Sequence, residues 1–140
     1  MARKLAMGLA ATLLVSGLLA GGASGRSAAM STSIEVFSGD VLKEGDGQLR
    51  EEALDADGTR IGTVRWNCAP GVDYHCTVVY DFNVFAPGGK GAVVVTGIFK
   101  GFTGETLAVT GGTKAYEGAS GSITLTSSDE AFTHTLNLLP

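Results

Sequence analysis

Residues 76–100 read Cys-Thr-Val-Val-Tyr-Asp-Phe-Asn-Val-Phe-Ala-Pro-Gly-Gly-Lys-Gly-Ala-Val-Val-Val-Thr-Gly-Ile-Phe-Lys. Two runs rich in Val and aromatic residues, Cys76 to Phe85 and Gly91 to Lys100, flank Pro87-Gly88-Gly89. Branched and aromatic side chains favour strands while Pro and Gly interrupt them, so the stretch predicts a β-hairpin. Successive strand residues point to opposite faces. Cys76, Val78, Tyr80, Phe82 and Val84 therefore share one apolar face, and Asp81 and Asn83 take the other. The second run is apolar almost throughout and has both faces to cover.

The same grammar extends in both directions. Upstream, Ser33 to Ser38 alternates, Gln48 to Asp55 follows a Gly45-Asp46-Gly47 break, and Asp57-Gly58 predicts a type I′ turn into Arg60 to Cys68. Downstream come Thr106 to Thr110, Gly121 to Thr126 and Ala131 to Leu138. Sixteen of the 21 glycines lie beyond residue 25, well above the usual share of about 7%, and they sit between these runs. No segment has helical periodicity. About eight short strands at this spacing predict an all-β antiparallel domain, a small barrel or a sandwich. Closure into an eight-stranded barrel is favoured because it removes sticky edges and leaves an interior wide enough for side chains or one small ligand. By parity Val64, Trp66 and Cys68 share a face, as do Phe132, His134, Leu136 and Leu138.

Residues 1–25 predict a signal peptide. Arg3 and Lys4 are followed by the uncharged, Leu-rich run from Leu5 to Ala20, and Ala23 and Gly25 place small residues before a cleavage point at Arg26. A membrane anchor is the alternative, but the last third of the run is Gly, Ala and Ser, which bury poorly in lipid. Residues 26–140 then form a single domain, secreted and free of the membrane after cleavage. Removing Arg3 and Lys4 lowers the basic count from 10 to 8 against 14 acidic residues, and the formal charge goes from -4 to -6. Such a chain, without a Lys/Arg cluster, lacks the stripe that nucleic-acid binding needs. With 44% hydrophobic and 17% charged residues, it is also too apolar for disorder.

Leu107 to Gly121, Leu-Ala-Val-Thr-Gly-Gly-Thr-Lys-Ala-Tyr-Glu-Gly-Ala-Ser-Gly, resembles the Gly-Gly-centred turn of the allene oxide cyclase and dirigent-like barrel superfamily. Arg60-Ile61-Gly62, Cys68, Tyr80-Asp81-Phe82 and Thr96-Gly97 are similar to its middle strands in the same order, which extends the resemblance over Arg60 to Leu138. It implies an eight-stranded barrel, often a homotrimer, whose lumen holds a small hydrophobic or aromatic molecule. It also implies cofactor-free chemistry in which a reactive intermediate is steered by position and by one carboxylate. Glu35 stands where the cyclases have a first-strand Glu. Phe37 and Glu51 stand where they have Asn, and Tyr116 is the aromatic that seals the barrel end.

Glu35 and Glu51 are thus the candidate catalytic carboxylates, with Phe37, Trp66, Tyr80, Phe82 and His134 as candidate ligand-binding residues. Glu35 faces the lumen if Ile34 and Val36 face a partner subunit, and burial would then raise its pKa toward general-acid use; otherwise it is an exposed strand residue. His134 is either a base or a hydrogen-bonded core histidine, and Trp66 and Tyr80 are either a stacking platform or core aromatics. Cys68 and Cys76, the two cysteines of the chain, predict a disulfide in an exported protein, the alternative being a reactive thiol pair. No metal or cofactor is expected: the two histidines have no zinc-type spacing, Asp55-Ala56-Asp57-Gly58 lacks the rest of a calcium loop, and no phosphate-loop, dinucleotide or nucleophile-elbow motif is present. Function divides between a cofactor-free cyclase, isomerase or stereocontrol protein, a non-catalytic carrier or scavenger, and a closed structural barrel.

Overall fold

The computed structural model describes residues 31–71, 73–100, 104–127 and 132–139. The leader predicted for residues 1–25 lies outside them. Eight strands, β1 (Thr32–Gly45), β2 (Gln48–Leu54), β3 (Arg60–Ala69), β4 (Tyr74–Phe82), β5 (Gly91–Phe99), β6 (Glu105–Lys114), β7 (Ser120–Ser127) and β8 (Phe132–Leu139), pair antiparallel in sequence order. β1 also pairs with β8, which closes the barrel. The all-β, eight-stranded antiparallel barrel expected from the glycine breaks is the observed fold.

Side-chain parity places the core largely as the sequence pattern requires. Val64, Val78, Tyr80, Phe82, Val93, Ile123 and Leu136 point inward and are almost wholly buried. Two departures have local causes. Val84 lies beyond the end of β4 and is 68% exposed, because the chain has already left the sheet. At Asp57-Gly58 the turn is not type I′, which would need positive φ at both central residues. Among Asp55 to Thr59 only Gly58 has positive φ (79°), and the Asp55 carboxylate accepts the backbone N–H groups of Asp57 and Thr59 at 3.0 and 2.8 Å.

β1 is much longer than Ser33 to Ser38. It pairs with β8 over Thr32 to Phe37 and with β2 from Phe37 to Gly45, so it must bend around the barrel wall. A bulge between Ser38 and Val41 supplies the bend. Gly39 sits in it, where an added Cβ would stand 3.0 Å from Cβ of Glu52. The extra residue reverses parity: Ile34, Val36 and Ser38 face inward before the bulge, and Val41 does so after it.

The same register corrects the lumen-facing expectation for Glu35. Ile34 and Val36 have no exposed surface and belong to the core, so they neither meet a partner subunit nor leave the inner face to Glu35. Glu35 is exposed on the outside of the barrel, opposite Thr135. Phe37 has the same parity and lies half-buried on the outer side, between Leu54 and Thr133, not in the lumen.

Candidate functional site

An aromatic column fills much of the barrel. Tyr116 closes one end beneath Gly88, whose added Cβ would fall 2.6 Å from the Tyr116 ring. Above it lie Phe82, Tyr80, His134, Trp66 and Phe99, with successive ring centroids 5.3, 6.0, 5.8, 5.8 and 5.6 Å apart. The Phe99 end is the end that carries the disulfide. There Cys68 and Cys76 are bonded between directly opposed positions of β3 and β4, and among the described residues no cysteine is free. A disulfide accords with an oxidising compartment.

Two openings lie at this end, and a third of about 200 Å³ lies outside Tyr116 at the other. A cavity of about 170 Å³ has Val41, Leu49, Leu125 and Phe132 as its apolar wall and Trp66, Glu51 and His134 as its polar part. Leu49 separates it from a depression of about 280 Å³ bordered by Lys43, Cys68, Tyr74 and Phe99.

Four strands bring the polar groups together. Ser38 on β1, Glu51 on β2, Tyr80 on β4 and His134 on β8 all point inward. The Ser38 hydroxyl donates to Oε2 of Glu51 at 2.5 Å and lies 3.3 Å from Nε2 of His134. Nε2 is 3.6 Å from the same carboxylate oxygen. On the other side of the ring, Nδ1 is 2.8 Å from the Tyr80 hydroxyl.

Valence fixes the direction of this chain. Burial holds the His134 pKa down at about 4, so the imidazole is neutral at physiological pH and carries one proton. The hydrogen bond to Nδ1 is the one made by the Tyr80 hydroxyl among the described residues, and a buried donor left without an acceptor is costly. Tyr80 therefore donates to Nδ1, the ring proton sits on Nε2, and Nε2 donates to Ser38, which donates to Glu51. The run of donors ends on one carboxylate oxygen. Oε1 of Glu51 has no hydrogen bond among the described residues.

The electrostatics agree with this assignment. Burial raises the Glu51 pKa, and the donors from Ser38 and the Trp66 indole N–H pull in the opposite direction. The indole N–H lies near enough to favour the charged form, but its geometry falls short of a hydrogen bond, and it is buried without a partner. Burial, and secondarily the Glu51 charge, raise Tyr80 well above the ordinary phenol range. Tyr80 is thus a fixed donor and not a source of protons. The Glu51 and His134 contact is a carboxyl beside a neutral imidazole, not an ion pair.

Of the residues singled out by sequence, Glu51, Trp66 and His134 meet at the cavity. Tyr80 touches it only through His134, and Phe82 is packed between Tyr80 and Tyr116 in the column, lining neither opening at this end. Ser38, Val41, Leu49 and Leu125 were not legible as site residues. The Gly39-Asp40 pair was the available signal for the first two, since a Gly in a strand marks a bulge and a bulge changes which residues face inward. Among the described residues no cluster of His, Cys, Asp and Glu could hold a metal ion.

No family model matches the chain, and no curated protein matches it. Eighteen solved chains match it in the comparison of structures. One is pyocyanin demethylase, with a TM-score of 0.56 and 17% identity over 78% of this chain and 99% of that one. Likeness at that identity concerns the barrel alone.

Proposed function

We propose that this protein is an exported barrel that binds a small hydrophobic or aromatic molecule at its disulfide-bearing end and moves a proton on it, as a cofactor-free isomerase or cyclase. The observation that carries this is Glu51: a buried carboxylate with a raised pKa, held through Oε2 by Ser38 and set in the wall of a largely apolar cavity. Desolvation makes such a carboxylate a stronger base than one in water, and a pKa closer to neutrality suits reversible proton transfer. A C–H or N–H bond of the ligand breaks, its electron pair stays on the ligand, and the proton passes to Oε1. It is returned to a different atom of the same molecule, so nothing is consumed. Ser38, His134 and Tyr80 are positioning residues that fix the carboxylate and stabilise its charge.

The Gly-Gly motif and its likeness to the allene oxide cyclase and dirigent-like superfamily support a lumen ligand. A barrel of the same fold, by its name, demethylates pyocyanin. The leader-like residues 1–25 and the disulfide support export. A homotrimer would have to use the outer face, where Val79 and Val94 are half-buried, since Ile34 and Val36 are committed to the core.

Native mass spectrometry of protein taken from culture medium without organic solvent tests the binding step, and the released compound is the substrate to assay. Incubated in D2O with wild-type protein, that compound should be converted to an isomer or gain deuterium, whereas Glu51→Gln should retain it without conversion. A compound held unchanged by the wild type would make the protein a carrier.

A further inference from the structure

We infer that the molecule taken by this cavity is neutral and flat, and presents along one edge a hydrogen-bond acceptor beside an acidic hydrogen, the edge of a lactam or an enolisable ketone, with Trp66 Nε1–H as the donor and Glu51 Oε1 as the acceptor that read it. The inference rests on the proposed ligand site and deepens it by naming what the site selects.

One buried donor on the cavity wall lacks a partner, and a carboxylate with an uncommitted oxygen stands beside it. The Trp66 indole N–H makes no hydrogen bond, although the residue is only 6% exposed and lies beside the Glu51 carboxyl. A buried donor of this kind is ordinarily satisfied, and one left open at a cavity is a place for a ligand acceptor. Glu51 supplies the complement, because its other oxygen already receives the Ser38 hydroxyl. One donor and one free acceptor side by side match a ligand edge with the reverse pattern. Both groups belong to the same wall, so a single planar edge can meet them together, while Val41, Leu49 and Leu125 cover its faces.

The charge of the ligand follows from what surrounds these groups. His134 is neutral and already donates to Ser38, and no Lys or Arg is among the described residues that line the cavity. Lys43 borders the adjoining depression instead. An anion placed against Trp66 would meet the Glu51 charge with no counter-ion, and desolvated like charges are strongly unfavourable. A purely apolar molecule would leave the indole N–H without an acceptor and offer nothing to Glu51 Oε1, which costs affinity.

The single tryptophan of the chain makes this directly measurable, since the 15N-labelled protein has one indole N–H signal. Three probes of equal ring size should be titrated at neutral pH: 2-quinolone, a lactam; naphthalene, which lacks the edge; and 2-naphthoate, an anion. We expect 2-quinolone to shift the indole proton downfield and to bind about tenfold more tightly than naphthalene, the effect of one or two good hydrogen bonds. 2-Naphthoate should be the weakest. Glu51→Leu should remove the preference for 2-quinolone while still taking naphthalene, which reports that the cavity has kept its shape. The wild-type indole signal decides the matter without any variant. Equal binding of 2-quinolone and naphthalene with the indole proton unmoved would overturn this inference and leave the apolar site intact. Tightest binding by 2-naphthoate would overturn neutrality, and failure of all three probes would overturn both this inference and the ligand-site proposal.

Discussion

His134 and Glu51 pull the pH dependence of stability in opposite directions. His134 falls from an ordinary value of 6.5 to about 4 in the folded protein, so between those values the unfolded chain binds a proton that the native state refuses. Stability should therefore be lost as pH falls from 6.5 toward 4, by about 3 kcal/mol in all. Glu51 is raised, so the unfolded chain ionises first and stability falls as pH rises from 4.5 through its folded value. Urea unfolding of wild type and His134→Phe at pH 4.5 and pH 7 should show the acid-side loss in wild type alone. At pH 7 the variant should be less stable by about 1 to 3 kcal/mol, because the Tyr80 hydroxyl loses its acceptor in a buried place. An undiminished acid-side loss in the variant would assign it to other groups.

At the scale of elements, the Gly-Gly pair on β6 separates into two unlike positions. The sequence suggests a strand that stops at Thr110, but β6 continues through both glycines to Lys114, with a bulge opposite Val94 and Val95. An added Cβ at Gly112 would stand 2.1 Å from the Tyr116 carbonyl oxygen and 2.9 Å from that of Ala92, whereas at Gly111 it would meet nothing. Gly112→Ala should cost about 2 to 4 kcal/mol by forcing backbone to move, and Gly111→Ala should stay within about 1 kcal/mol of wild type. Thermal unfolding of the two variants gives the comparison. Replacing Cys68 and Cys76 by Ala should cost about 2 to 3 kcal/mol, set by the eight-residue separation of the cysteines. Strand number, order and inner faces were legible because glycine breaks and period-two alternation are local signals. The site was less legible, since Glu35 and Phe37 were placed by motif position, while the β1 register, fixed by pairing to β2 and β8, turns both outward. Glu51 was placed by motif position as well, and on β2 it shares the inward parity of Ala53, so it does reach the interior.

For the molecule as a whole, closure between β1 and β8 leaves function to the interior and the two ends. Tyr116 and the column above it close the lumen from the other end, so a ligand of the cavity beside Trp66 enters from the disulfide end. The proposed export makes a prediction for the intact protein: material secreted by its own host should begin at Arg26 and weigh two hydrogens less than the reduced chain, as accurate mass measurement would register. A product retaining residues 1–25 would favour the anchor alternative.

All the proposed chemistry depends on Glu51 being a desolvated carboxylate held by donors on one oxygen. The most direct test is a pH titration of its carboxyl carbon by 13C NMR in wild type and Ser38→Ala. A midpoint above 4.5 in wild type, moving higher when the Ser38 donor is removed, is the predicted result. A midpoint at or below 4.5, indifferent to Ser38, would mean that Glu51 is solvated and that the barrel has no buried base.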